Sequence, residues 1–222
     1  MNRITGNRRL KLYVRLLTGP MKGGKTRNLV KYMERYILAK QYIYAISPKM
    51  DTRAGSHNSL VTQELHGLLS SPYCYNTVQT NIFDFLKEVK EMIDGGDIEP
   101  ISAIFVDEFF MFEGWSKEFF YWYQQNFNDV PLTIAGIING WSCDTFKATS
   151  IVLPFVDSIK RERAICERCG KDANYFFYKG GVEAWNSRKD CIDEGCNNFE
   201  CLCAECYTKA TGGKPVYSDL KE

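Results

Sequence analysis

Gly19-Pro20-Met21-Lys22-Gly23-Gly24-Lys25-Thr26 is the stretch on which the reading of this chain turns. It meets the pattern G-x-x-x-x-G-K-[ST] at Gly19, Gly24, Lys25 and Thr26, with Gly23 as a further glycine inside the loop. Glycines let the backbone bend until successive N–H groups face one anion. Upstream, LKLYVRLL (residues 10–17) is rich in apolar and β-forming residues. Downstream, TRNLVKYMERYILAKQ places Leu29, Val30, Met33, Ile37 and Leu38 at helical spacing. A bland glycine turn containing Lys-Thr is the alternative, and the strand–loop–helix context weighs against it. In a phosphate-binding loop Lys25 reaches the β- and γ-phosphates and the Thr26 hydroxyl sits on Mg²⁺. The helix that follows presents its positive end to the same anion.

Further along, YIYAIS (42–47) is the next strand, closed by Pro48, and completes the opening unit of an α/β sheet. The segment 49–80 is turn-rich, with SHNS and SSPY, and is expected to be a mobile connection between strands. NIFDFLKEVKEMID (81–94) returns to helical period and stops at Gly95-Gly96. ISAIFV (101–106) is a buried-strand run, EGWSKEFFYWYQQN a helix, and PLTIAGII (131–138) another buried strand. From about Cys166 the pattern changes to short strands and turns with cysteines. Residues 1–9 are expected to be a flexible terminus, 10–163 the nucleotide-binding unit, 164–213 a small cysteine-bearing unit and 214–222 a tail.

Apolar residues make up 45% and charged residues 25%, an ordinary globular composition. Twenty-eight basic and 27 acidic side chains leave a net charge of +1, so bulk charge favours neither a nucleic-acid nor a membrane surface. No apolar run approaches the roughly 18 residues of a membrane span, and the start MNRITGNRRLK lacks the apolar core of a signal peptide. A cytosolic protein is expected.

A nucleotide site of this class needs an acid at the end of a buried strand. ISAIFV runs into Asp107, which is placed to hold Mg²⁺ through water. Its neighbour Glu108 would sit beside the γ-phosphate and take the proton of an attacking hydroxyl. For an arbitrary Asp-Glu pair a solvated strand end is the better reading; the upstream phosphate loop reverses that preference.

Seven of the nine cysteines crowd the last quarter of the chain. Cys166-x-x-Cys169 and Cys203-x-x-Cys206 are turns that fold paired thiolates onto one tetrahedral ion, and Zn²⁺ is the ion they suit. Cys191, Cys196 and Cys201 are alternative ligands, ligands of a second ion, or free thiols. No histidine lies in this region, which argues against an open catalytic zinc. His57 and His66 both read as surface residues.

The loop, the Asp-Glu strand end and the paired cysteines together resemble the type II thymidine kinases, the tetrameric, zinc-containing deoxynucleoside kinases. The resemblance runs from about residue 11 to 210. It includes Asp51-Thr52-Arg53, a lead-in Leu153-Pro154-Phe155-Val156-Asp157-Ser158, and Tyr207 after the second cysteine pair. It implies a P-loop α/β kinase with a parallel sheet flanked by helices and a small zinc-binding lasso that closes over the nucleoside. By resemblance, Gly19, Met21, Gly23, Gly24, Lys25, Thr26, Arg53 and Asp107 bind ATP and Mg²⁺, and Glu108 is the base for the 5′-hydroxyl. Cys166, Cys169, Cys203 and Cys206 then ligate zinc. Met21, Met111, Phe112, Phe176 and Phe199 line the nucleoside side, a homotetramer is implied, and no membrane or nucleic-acid partner is expected.

The departures fall on the acceptor side. The family's DE-x-QFF appears as Asp107-Glu108-Phe109-Phe110-Met111-Phe112, with Phe110 for glutamine and Met111 for an aromatic. Lys22 stands where an aromatic is frequent, Asn139 where an aspartate is usual, and Phe199 where a tyrosine is common. Phe176 replaces a small polar residue of the base pocket. Phosphate chemistry is therefore expected to be kept while nucleoside recognition is altered, the acceptor being thymidine or a related, modified deoxyuridine. Two other readings compete: a nucleotide-binding relative without kinase activity, and a P-loop ATPase touching nucleic acid through its zinc segment. The basic run Ile159-Lys160-Arg161-Glu162-Arg163 reads as a solvated connector, against the last of these.

Overall fold

A computed structural model describes residues 12–49, 67–141, 143–186 and 198–214. The expected flexible terminus, the Asp51-Thr52-Arg53 motif, both histidines, Cys191 and Cys196 lie outside the described residues.

The chain alternates strand and helix, and the strands form one six-stranded sheet in which every pair is parallel. The strands are β1 (Val14–Thr18), β2 (Ile43–Pro48), β3 (Cys74–Gln79), β4 (Ala103–Val106), β5 (Leu132–Ala135) and β6 (Ser158–Arg161), in spatial order β3-β2-β4-β5-β1-β6. The inner strands are buried nearly end to end because helices cover both faces of a parallel sheet. Alternation sorts their side chains. Leu16, Tyr44, Ile46, Ile104, Val106 and Ile134 enter one core; Leu17, Ile43, Ala45, Phe105 and Ala135 enter the other.

Helix α1 (Lys25–Leu38) covers the second core with Leu29, Val30 and Met33. Helices α2 (Ile82–Gly95) and α3 (Lys117–Asn126) cover the first. Asn81 caps α2 by accepting from the Phe83 and Asp84 N–H groups, and Gly96 closes it in the left-handed region at φ 78°. Ser116 caps α3 through the Phe119 N–H. Among the described residues, no helix is long and apolar enough to cross a membrane.

Two strands differ from the sequence expectation, and both are edges. Residues 74–79 lie in the stretch read as a turn-rich connection, yet they pair with β2 over six registered positions. The polar CYNTVQ is half-exposed and carries a weak apolar signal. The run read as a solvated connector is β6, hydrogen-bonded to β1 while its side chains stay largely exposed. Lysine and arginine suit an edge, where they discourage pairing with another chain.

Beyond β6 a smaller unit folds on two antiparallel pairs. Strand β7 (Ala164–Ile165) pairs with β8 (Asp172–Ala173), and β9 (Tyr175–Tyr178) pairs with β10 (Phe199–Leu202). A short helix α4 (Lys147–Val152) precedes it; α5 (Gly181–Asn186) and α6 (Ala204–Thr211) belong to it. Its core joins Ala164, Cys166, Phe176, Phe177, Cys201 and Leu202 to Ile137 and Trp141 of the larger unit.

Candidate active site

A parallel sheet brings the carboxyl ends of its strands to one edge, and ligands of open α/β sheets bind there. At this edge β1 runs into Gly19 and β4 into Asp107, with β5 between them.

The loop has the conformation its glycines predict. Gly19 lies at φ 140°, and a Cβ there would come 2.3 Å from the Glu162 carbonyl oxygen, so the loop packs backbone to backbone on the end of β6. Gly24 is left-handed at φ 83° and starts α1 without a side-chain cap. Asn81 and Ser116 cap α2 and α3 with their side chains; α1 has no side-chain cap at Gly24, and the positive end of a helix attracts an anion. Lys25 is buried, and its Nζ donates to the Pro20 carbonyl at 2.9 Å, curling the side chain back over the loop.

Thr26 joins the two halves of the site. Its hydroxyl donates to Asp107 Oδ2 at 3.1 Å. Asp107 is 1% exposed. Burial first, and the neighbouring Glu108 carboxylate second, push its carboxyl up to about 7, against the Glu108 N–H, Lys25 and Thr26. A buried hydroxyl–carboxylate pair of oxygen donors fits Mg²⁺. Glu108 itself is left-handed at φ 45°, a strained conformation for a non-glycine residue, and is 8% exposed. Its N–H donates to Asp107 Oδ1 at 3.0 Å. The chain turns sharply there and continues as a 3-10 turn, Phe109–Met111.

Lys25→Ala is expected to weaken ATP binding about ten- to a hundredfold, the scale of a lost charge-assisted contact. Equilibrium titration with ATP checks this, and an unchanged affinity would count against the loop.

The remaining predicted residues divide between two cores. Met21 and Phe199 pack against the core of the small unit, and Phe176 is buried in it. Met111 ends the 3-10 turn, half-buried. Phe112 is buried in the main core, and its N–H donates to the Phe109 carbonyl at the end of that turn. Phe110 and Phe146 stack face to face, centroids 4.7 Å apart and planes at 19°, where the two units meet. Sequence reading singled out Phe110 as a departure but missed its partner, which lies 36 residues on and is brought in by α4.

The zinc expectation rests on four sulfurs. The Sγ atoms of Cys166, Cys169, Cys203 and Cys206 all lie within 4.8 Å of one another, and Cys169 and Cys203 are 3.6 Å apart. A tetrahedron with metal–sulfur bonds of about 2.3 Å has edges of about 3.8 Å, so the four thiols fit Zn²⁺. Burial opposes a thiolate at Cys166, but backbone bonds from Cys203, Arg168 and Cys169 outweigh it and hold that thiol down at about 6. Cys206 is pushed up to about 12 by burial and then by its three sulfur neighbours, the response of thiols crowded around one charge. Cys201, open as a ligand from sequence, is outside this cluster: its thiol donates to the Met21 carbonyl at 3.0 Å.

A family model for thymidine kinase matches residues 12–210. The thymidine kinase of Mesoplasma florum is 27% identical over 200 residues, covering 88% of this chain and 91% of that one. That of Amsacta moorei entomopoxvirus is 28% identical over 198 residues, covering 89% and 98%. The enzyme of Bacteroides thetaiotaomicron is 25% identical over 199 residues, covering 90% and 88%.

Proposed function

Because this chain belongs to the thymidine kinase family, whose members are nucleoside kinases, we propose that it transfers the γ-phosphate of ATP to the 5′-hydroxyl of thymidine or a related modified deoxyuridine. The observation that carries the reading is the junction of Lys25, Thr26, Asp107 and Glu108 at one sheet edge, with Thr26 bonded to Asp107 and the strained Glu108 next in chain.

Lys25 and the loop amides hold the triphosphate, while Thr26 and Asp107 hold the metal. Arg53 also belongs to the phosphate side by resemblance. Mg²⁺ held by Thr26 and Asp107 would neutralise charge that develops on the transferring phosphoryl group. Glu108 orients the 5′-hydroxyl and accepts its proton, and its turn fixes the carboxylate before substrate arrives. Catalysis of this kind is mostly positioning and electrostatics. Met21, Met111, Phe176 and Phe199 face the nucleoside, backed by Phe112. The Phe110–Phe146 stack adds aromatic volume at that wall. One methyl-sized difference in such a pocket is worth about 1–3 kcal/mol, enough to shift preference among 5-substituted deoxyuridines without loss of activity. Zn²⁺ on the four cysteines is structural, and the working form is a homotetramer.

The test is ADP release from ATP·Mg²⁺ against a panel of deoxynucleosides, with single-stranded DNA as a parallel arm. Release dependent on thymidine or a 5-substituted deoxyuridine is expected. Release stimulated only by DNA would replace this reading with a nucleic-acid-dependent ATPase, and no release with any partner would leave a nucleotide-binding protein.

A further inference from the structure

The phosphate loop and the four-cysteine cluster are joined by bonds that neither site needs for its own chemistry. Glu167, inside the first Cys-x-x-Cys turn, accepts from Lys22 Nζ and from the Cys201 N–H on the same oxygen, each at 2.9 Å. Its own N–H donates to the Cys201 carbonyl at 3.0 Å, so Glu167 and Cys201 are tied twice. The Cys201 thiol then donates to the Met21 carbonyl at 3.0 Å.

These contacts act on one peptide. A trans peptide points its C=O and N–H to opposite sides, so the Cys201 thiol, by holding the Met21 carbonyl, sets the direction of the Lys22 N–H. Lys22 is itself left-handed at φ 59°, a conformation that a non-glycine residue keeps only when its surroundings hold it. Pro20 is pinned on the other side, its carbonyl accepting from Lys25 Nζ and the Gly23 N–H. The Lys22–Glu167 ion pair is part-exposed, at 45% and 34%, so its worth in stability is small. Cys201, by contrast, is 1% exposed and cannot exchange its bonds for water.

We propose that Glu167 is a positioning residue for the phosphate loop: through Lys22 and Cys201 it holds the Met21–Lys22 peptide, so the zinc cluster and the triphosphate site act as one unit. This deepens, and rests on, the phosphate-loop reading above. A coupling of this kind is reciprocal: ATP must retain zinc by the factor by which zinc favours ATP.

The experiment uses the full-length, zinc-loaded chain with ATP·Mg²⁺ as ligand. Lys22→Met, outside the zinc turn, and Glu167→Ala are each expected to raise the ATP dissociation constant about threefold to tenfold with zinc content unchanged. Glu167→Gln, which keeps an acceptor for the Cys201 N–H, recovers part of that loss. The double variant is no worse than the poorer single one. In the parent, ATP slows zinc transfer to a chelator, and Lys22→Met reduces the protection. If Glu167→Ala sheds its zinc, Lys22→Met decides. Affinity within about twofold of the parent in Lys22→Met, or no protection of zinc by ATP in the parent, overturns the inference alone. A parent that binds no ATP overturns the phosphate-loop reading with it.

Discussion

Glu108→Gln is expected to lower kcat by about 10²- to 10⁴-fold while leaving ATP affinity nearly unchanged. The two side chains are almost the same size, and glutamine meets the same left-handed strain at φ 45°, so the turn is kept and only the proton acceptor is removed. The proposed ATP contacts, Lys25, Thr26 and the loop amides, are not touched by the substitution. Loss of one carboxylate beside Asp107 also relieves part of what raises the Asp107 carboxyl, so metal binding is not expected to suffer. Steady-state kinetics at saturating nucleoside, beside an ATP titration, separates these effects. Parent-like turnover would remove Glu108 from the chemistry. Equal loss of ATP affinity would place it in nucleotide binding instead.

Cys203→Ser is expected to release zinc and unfold the small unit while the six-stranded sheet survives. The substitution isolates the ligand. Cys203 also caps α6, accepting the Cys206 N–H at 3.5 Å, and a serine oxygen does that at least as well. What disappears is one corner of the four-sulfur cluster. Beside its apolar core the unit has only short strand pairings, two residues for β7 and β8 and four for β9 and β10. Structural zinc supplies about 10–16 kcal/mol in comparable small units, far above what such strands supply. Metal analysis should fall from one zinc per chain to none, and amide exchange should lose protection over 164–178 and 199–211 but keep it in β1, β4 and β5. Retained protection without metal would show that the apolar core of the unit suffices.

Much of the site was legible along the chain because its chemistry depends on local spacing. A phosphate loop is eight consecutive residues, and the buried strand before Asp107 announces itself by apolar residues alone. The CxxC turns are legible for the same reason, since two thiolates three residues apart already share one turn. The edge strands β3 and β6 were not, because a strand with one exposed edge can be polar and still satisfy its backbone through its neighbour. Glu167 gave no signal either. It reads as a charged residue in a turn, and its partners lie 145 residues upstream and 34 downstream.

By itself, the sequence determined the sheet class, the glycine loop with its Lys25-Thr26, the acidic strand end and the two paired-cysteine turns. Each is set by side-chain type over a few neighbouring residues, where chain geometry leaves little choice. Only the tertiary structure decided that Cys201 stands apart from the four clustered sulfurs and bonds to the Met21 carbonyl, and that Phe110 meets Phe146. Those are pairings between segments far apart in the chain, selected by how the small unit packs on the carboxyl edge of the sheet. No local propensity encodes them, because their energies appear only once both partners have been buried together.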